Sequence, residues 1–154
     1  MEILHSLQGI HPQFWKKNRL ESFENWPFQS NCVCTPERMA AAGFVLIGGR
    51  NDPDLVECFV CSKQLDEWDS EDDPWNEHLK HMPSCPYIKI GKQDELDWTV
   101  PELFTLIKEF SKKSLTRKHE AAISEIKQEV AELSKVIPKR KRSRKPSNRS
   151  TNLN

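Results

Sequence analysis

The sequence predicts an α+β fold: a small domain of short helices around a short three-stranded antiparallel sheet, then one long C-terminal α-helix. Cys58, Cys61, His78 and Cys85 stand in the spacing C-x2-C-x16-H-x6-C, which gathers a tight turn and a following helix around one point. Short apolar runs on either side of Gly48-Gly49-Arg50-Asn51-Asp52-Pro53 read as two strands of a hairpin. Beyond Trp98 an apolar stripe continues at helical spacing as far as Ile137.

The quartet comes first because it closes the domain. Three thiolates and one imidazole make a complete tetrahedral set for Zn2+, which prefers sulfur at about 2.3 Å and nitrogen at about 2.0 Å. The alternative, four residues packed as small hydrophobes, conflicts with the sequence between them. Lys63, Gln64, Asp66, Glu67, Asp69, Glu71, Asp72 and Asp73 offer too little apolar surface to hold that segment shut. Four protein donors leave no position for a reactive water, so one structural zinc is expected and hydrolysis at the metal is not. A nucleic-acid zinc finger separates its halves by about twelve residues and its last ligands by about three to five, and both gaps here are longer.

Along the chain, residues 1–10 show no clear pattern and form an N-terminal extension to a zinc domain over residues 11–97. Phe14, Trp15, Leu20 and Phe23 fit a short helix or two, ended by the turn at Asn25-Trp26-Pro27. Thr35-Pro36 has the form of an N-cap followed by proline at the first helical position, and Gly43 is the stop, which predicts a helix over residues 36–42. Residues 44–47 and 55–59 read as the hairpin strands and residues 63–65 as a third. Asp73-Pro74 repeats the cap-and-proline signature and starts a helix of about two turns carrying Trp75, His78 and His81.

Thr99 and Glu102 form a capping box for the long helix over residues 98–138, and Pro138 ends it. Its stripe has two stretches, Leu103, Ile107 and Phe110, then Ile123, Ile126, Val130, Leu133 and Ile137, the second at alternating steps of three and four. A helix of about 38 residues would be about 57 Å long, far longer than the domain it leaves, so most of the stripe is expected to pack on partner helices, the alternative being a helix folded back as core. The polar interval from Ser111 to Glu120 fits a short bundle better than an unbroken two-stranded coiled coil. Residues 139–154 form a basic, disordered tail suited to nuclear import through an importin or to phosphate contact with nucleic acid.

Net charge is zero over 154 residues, yet it is segregated. Residues 1–100 hold 9 Lys and Arg against 17 Asp and Glu, and residues 101–154 hold 14 against 6. The acidic front suits a cationic ligand such as a basic peptide, and the basic back an acidic partner. No apolar run approaches the ~20 residues of a membrane span and no signal-peptide core is present, so the chain is expected in the nucleus or cytoplasm. Cys32 and Cys34, outside the quartet, are expected to be reduced. No motif pairs them with His5, His11 or His81 as nucleophile and base, so no catalytic residue and no enzyme activity are assigned.

The residues around the ligands carry a resemblance. Arg19-Leu20-x-x-Phe23-x-x-Trp26-Pro27, Pro36-x-x-Met39-Ala40-x-Ala42-Gly43-Phe44, Asp54-x-Val56-x-Cys58-Phe59-x-Cys61-x-x-x-Leu65-x-x-Trp68 and Asp72-Asp73-Pro74-Trp75-x-Glu77-His78-x-x-His81-x-x-x-Cys85 resemble one baculovirus inhibitor-of-apoptosis repeat, or BIR domain. The match spans about residues 14–90. In that family a groove beside the zinc holds an N-terminal alanine. Asp66 and Asp72 match its acceptors for the terminal ammonium, Trp68 walls the methyl pocket, and Leu65 lies on the strand that adds main-chain hydrogen bonds.

A single repeat followed by one long helix resembles the family's chromosomal-passenger member. That implies a non-enzymatic adaptor in cell division and chromosome segregation, with Lys63 and His81 beside a phosphothreonine of the histone-three N-terminal tail. The implied partners of its helix are borealin and inner centromere protein, with Aurora kinase recruited indirectly to the centromere and later the spindle midzone. A homodimer is compatible with the same resemblance. The alternative function is inhibition of apoptosis, through caspases or their antagonists' alanine-headed peptides. Thr35-Pro36 also resembles a proline-directed phosphorylation site.

Overall fold

The computed structural model describes residues 11–136; the N-terminal extension with His5, residue Ile137 and the basic tail lie outside the described residues. Two compact units are present, one reaching Arg117 and one from Lys118 onward. In the first, a 3-10 turn at Pro12–Phe14 leads into α1 (Lys16–Glu21) and α2 (Pro36–Ala41). An antiparallel sheet follows in the order β1 (Phe44–Leu46), β2 (Val56–Cys58), β3 (Gln64–Leu65). Then come α3 (Pro74–His81), α4 (Pro86–Ile90), a second 3-10 turn at Glu95–Asp97 and the start of α5 (Val100–Val136).

The helix starts follow the predicted chemistry. Thr35 accepts from the Arg38 amide at 3.5 Å to open α2, and Asp73 accepts from Trp75 and Asn76 at 3.0 and 3.2 Å to open α3. Glu102 accepts from the Thr99 amide at 2.7 Å and its hydroxyl at 2.9 Å at the head of α5. The chain leaves α2 through Gly43 at φ +88°, where a Cβ would lie 2.8 Å from the Tyr87 ring.

Each strand is shorter than its apolar run because the flanking residues turn early. Ile47 and Gly48 both donate to the Leu55 carbonyl, at 3.0 and 2.9 Å, which ends the β1 ladder, and the Ser62 amide donates to Cys58 O at 2.9 Å, which folds the chain out of β2. The register pairs Phe44 with Cys58 and Val56 with Leu65, leaving β3 as an edge. Helix α4 is an element the sequence reading did not expect. It starts at Pro86 directly after Cys85 and stops at Gly91, φ +72°, too short to show a period.

Phe14 anchors the core, edge-on to Phe59 at 5.5 Å, Trp98 at 5.8 Å and Phe110 at 6.0 Å. This corrects the reading of the first apolar stretch as free for a partner helix. Leu106 is fully buried, and Leu103, Ile107 and Phe110 are partly buried against the same cluster. The reason is aromatic surface: Phe14, Phe59 and Trp98 need a lid, and covering them stabilises by roughly 25 cal/mol per Å² of apolar area. The second stretch is exposed in its own unit, with Ile126 at 55% and Leu133 at 62%. No helix among the described residues is long and apolar enough to cross a membrane.

Candidate metal centre and acidic groove

Cys58 closes β2, Cys61 completes the knuckle turn, His78 lies on α3 and Cys85 precedes α4, so four elements meet at one point. The three sulfurs and a histidine nitrogen all lie within 4.8 Å of one another. Cys58 Sγ to Cys85 Sγ is 4.0 Å and Cys61 Sγ to His78 Nε2 is 3.4 Å, close to the ~3.5–3.8 Å edges of a tetrahedron drawn at zinc bond lengths. His78 Nδ1 faces the Ala42 carbonyl at 2.8 Å, so it carries the proton and turns the Nε2 lone pair inward. The amides of Val60 and Cys61 donate to Cys58 Sγ at 3.3 Å each, the pattern that supports a thiolate.

Burial and the adjoining sulfurs push the Cys58 thiol well up, while hydrogen bonds from Cys58 and Cys61 draw Cys85 down to about 3. The sulfurs thus share protons that a divalent cation displaces on binding. Cys58, His78 and Cys85 are buried, and Phe44 covers the imidazole at 4.8 Å. The donor set, the fixed tautomer and the closed surroundings fit a structural zinc held by these four residues.

A groove of about 430 Å³ is lined by Lys63, Leu65, Asp66, Trp68, Asp72 and His81. All six residues proposed from sequence for peptide contact therefore fall on one surface. The same surface holds Gln64, Glu67, Glu77 and Lys80, which the sequence reading left out. Glu77 contacts His81 at 3.3 Å and Lys80 at 3.1 Å, which the i,i+3 and i,i+4 spacing on α3 would have signalled. Glu67 sits at φ +59°, a left-handed position uncommon for a non-glycine residue and silent in sequence.

The acidic loop keeps its shape through hydrogen bonds that pass beyond it. Trp68 N donates to Asp54 at 2.9 Å, Val33 N to Ser70 O at 2.6 Å and Cys34 Sγ to Asp69 O at 3.1 Å. Asp72 accepts from the Asp69 amide at 2.8 Å, which keeps its carboxylate at the groove. Trp68 is 7% exposed and stacks edge-on with Phe44 at 5.6 Å and Trp26 at 6.2 Å; its indole N–H has no partner among the described residues.

The sequence profile of the Inhibitor of Apoptosis domain, BIR, matches residues 19–89. Baculoviral IAP repeat-containing protein 5 of Mus musculus is 43% identical over 110 residues, 69% of this chain and 78% of its own. The chain belongs to the BIR family. Two further relatives support that membership. Baculoviral IAP repeat-containing protein 5 of Cavia porcellus is 37% identical over 82% of this chain and 91% of its own. Baculoviral IAP repeat-containing protein 5.2-A of Xenopus laevis is 48% identical over 66% of each. Among solved structures, the crystal structure of DIAP1 BIR1 bound to a Grim peptide matches 47% of this chain and 68% of its own at 28% identity and a TM-score of 0.40, too partial a likeness to place a ligand. For this BIR protein the ligand spacing, the sheet and the long helix agree with the family expectation.

Proposed function

We propose that this chain is a survivin-like, non-enzymatic adaptor that reads the phosphorylated N-terminal tail of histone three. The observation that carries the reading is the convergence of two kinds of charge on one groove. Asp66 and Asp72 supply acceptors suited to a terminal ammonium, and Lys63 and His81 supply donors suited to a dianionic phosphate, on the same surface. Edge strand β3 offers main-chain pairing to an extended peptide. The similarity to protein 5 of the family supports the remaining assignments. These are borealin and inner centromere protein on the exposed apolar face of the long helix, with Aurora kinase brought indirectly to centromeric chromatin for chromosome segregation and cytokinesis. They also imply a nuclear and centromeric location in mitosis and a cytoplasmic pool.

Titration of zinc-loaded protein with a histone-three peptide, phosphorylated or plain at threonine three, tests this. The phosphorylated form should bind at least about tenfold more tightly, a difference of ~1.4 kcal/mol. Lys63→Ala or His81→Ala should erase that preference while leaving the plain peptide's affinity nearly unchanged. Identical curves for the two wild-type titrations would remove the reading. The family profile's description favours a second reading, restraint of caspases or capture of alanine-headed antagonist peptides. Tight binding of an alanine-headed peptide without a phosphate preference, or direct slowing of an active caspase, would select it.

A further inference from the structure

A second cavity, of about 330 Å³, shares no lining residue with the groove and lies between the knuckle turn and the third to fifth turns of α5. Val60, Cys61, Met82, Cys85, Lys112 and Lys113 line it. Its size is within the range of small-molecule sites, about 300–1,000 Å³. Of the four metal ligands, Cys58 and His78 are 0% exposed and Cys85 1%, while Cys61 is only partly buried. The cavity wall is thus where a reagent can reach a ligand sulfur. Lys113 is fixed there, its ammonium donating to the Val60 carbonyl at 3.3 Å, and Lys112 stands beside it in solvent. Glu109 is the acidic residue of the lining, so the lining's amine and carboxylate side chains sum to one positive charge beside the ligand sulfurs.

We propose that Cys61 is a thiol-exchange site, reached through this cavity, at which a small anionic disulfide of the glutathione type forms a mixed disulfide and opens the metal centre. The Cys61 sulfur, a thiolate as a metal ligand must be, attacks one sulfur of the disulfide. A bond forms between Cys61 and that sulfur, the disulfide's own S–S bond breaks, and the leaving thiolate takes the electron pair. Cys61 is oxidised, one sulfur of the reagent is reduced, and the quartet becomes a trio. Apolar Val60 and Met82 accommodate the reagent's stem, and Lys112 and Lys113 face its carboxylates. The inference depends on zinc at the quartet and not on what the groove binds.

The test uses the full chain carrying Cys32→Ser, which removes the other partly exposed thiol, with zinc content measured at the start. Glutathione disulfide is added and two quantities are followed: the site of glutathionylation by peptide mass mapping, and zinc release with a chromogenic chelator. The expected result is a label on Cys61 before Cys58 or Cys85, appearing at the rate at which zinc leaves. The double change Lys112→Gln and Lys113→Gln should slow labelling by about three- to tenfold with glutathione disulfide and leave the rate with uncharged hydroxyethyl disulfide unchanged. First labelling at Cys58 or Cys85, zinc retained after Cys61 is labelled, equal slowing with both reagents, or a protein that carries no zinc would each overturn the proposal.

Discussion

Arg19 has no exposed surface, yet it carries a guanidinium. Nε donates to Ala40 O at 3.0 Å, Nη1 to Phe14 O at 2.6 Å, Nη2 lies 3.5 Å from Glu95, and the group sits 4.3 Å over the Phe59 ring. Desolvation lowers its pKa, with Tyr87 and Glu95 opposing that shift. Arg19→Met would take a charged donor from the Phe14 and Ala40 carbonyls and the ion-pair partner from Glu95, which keeps only the Lys16 amide, and we expect a loss of about 3 kcal/mol in chemical denaturation of zinc-loaded protein. A loss below about 1 kcal/mol would show that the network is dispensable. Gly43 is the second such residue: Gly43→Ala combines a positive φ with a 2.8 Å approach to Tyr87 and should cost about 2–3 kcal/mol. Neither feature was legible in sequence. Arg19 and Gly43 were visible only as positions of the family motif, Gly43 also as a helix stop; the burial of one and the close approach at the other depend on Glu95, Phe59 and Tyr87 brought from far along the chain.

At the scale of elements, the helix starts were the most legible because a cap and a proline act locally, while α4 and the folded-back face of α5 depend on distant partners. Glu102 shows how a cap becomes a pH response. Its carboxyl is held at about 2, chiefly by the Lys92 ammonium and then by the Thr99 amide and hydroxyl. A carboxyl lowered on folding adds stability above its unfolded pKa and loses that contribution as pH falls through its folded one. The gap in thermal midpoint between wild type and Glu102→Gln, with zinc saturating, should therefore be largest near neutrality and shrink from about pH 5 downward. A gap independent of pH would contradict the ion pair. Thr35→Ala should cost about 1 kcal/mol by uncapping α2, and Thr35→Asp much less, as read by thermal unfolding.

For the whole molecule, the quartet is expected to decide whether the first unit folds. Its spacing was visible in the sequence because metal ligands tolerate no substitutes; the groove's acidic residues were visible, but Glu67 and Glu77 joined them only through backbone conformation and the turn of α3. Removing zinc with a strong chelator should abolish the near-ultraviolet signal of Trp26 and Trp68, both buried in the first unit. A spectrum that survives chelation would contradict a structural ion. In a pull-down from mitotic extract, Ile126→Asp with Leu133→Asp should lose the partner helices proposed for this face and keep the zinc stoichiometry, because both side chains are exposed and remote in sequence from the ligands.

Strand β2 is only three residues long, yet it ends on Cys58, and the Cys58 amide donates to the Lys63 carbonyl at 3.0 Å immediately before β3 begins. One short ribbon therefore borders both the candidate metal centre and the free edge of the sheet. On the function proposed above, scarcity of the metal would blind the peptide groove first while leaving the exposed apolar face beyond Lys118 intact, so that a chain in that condition would occupy an assembly without delivering it.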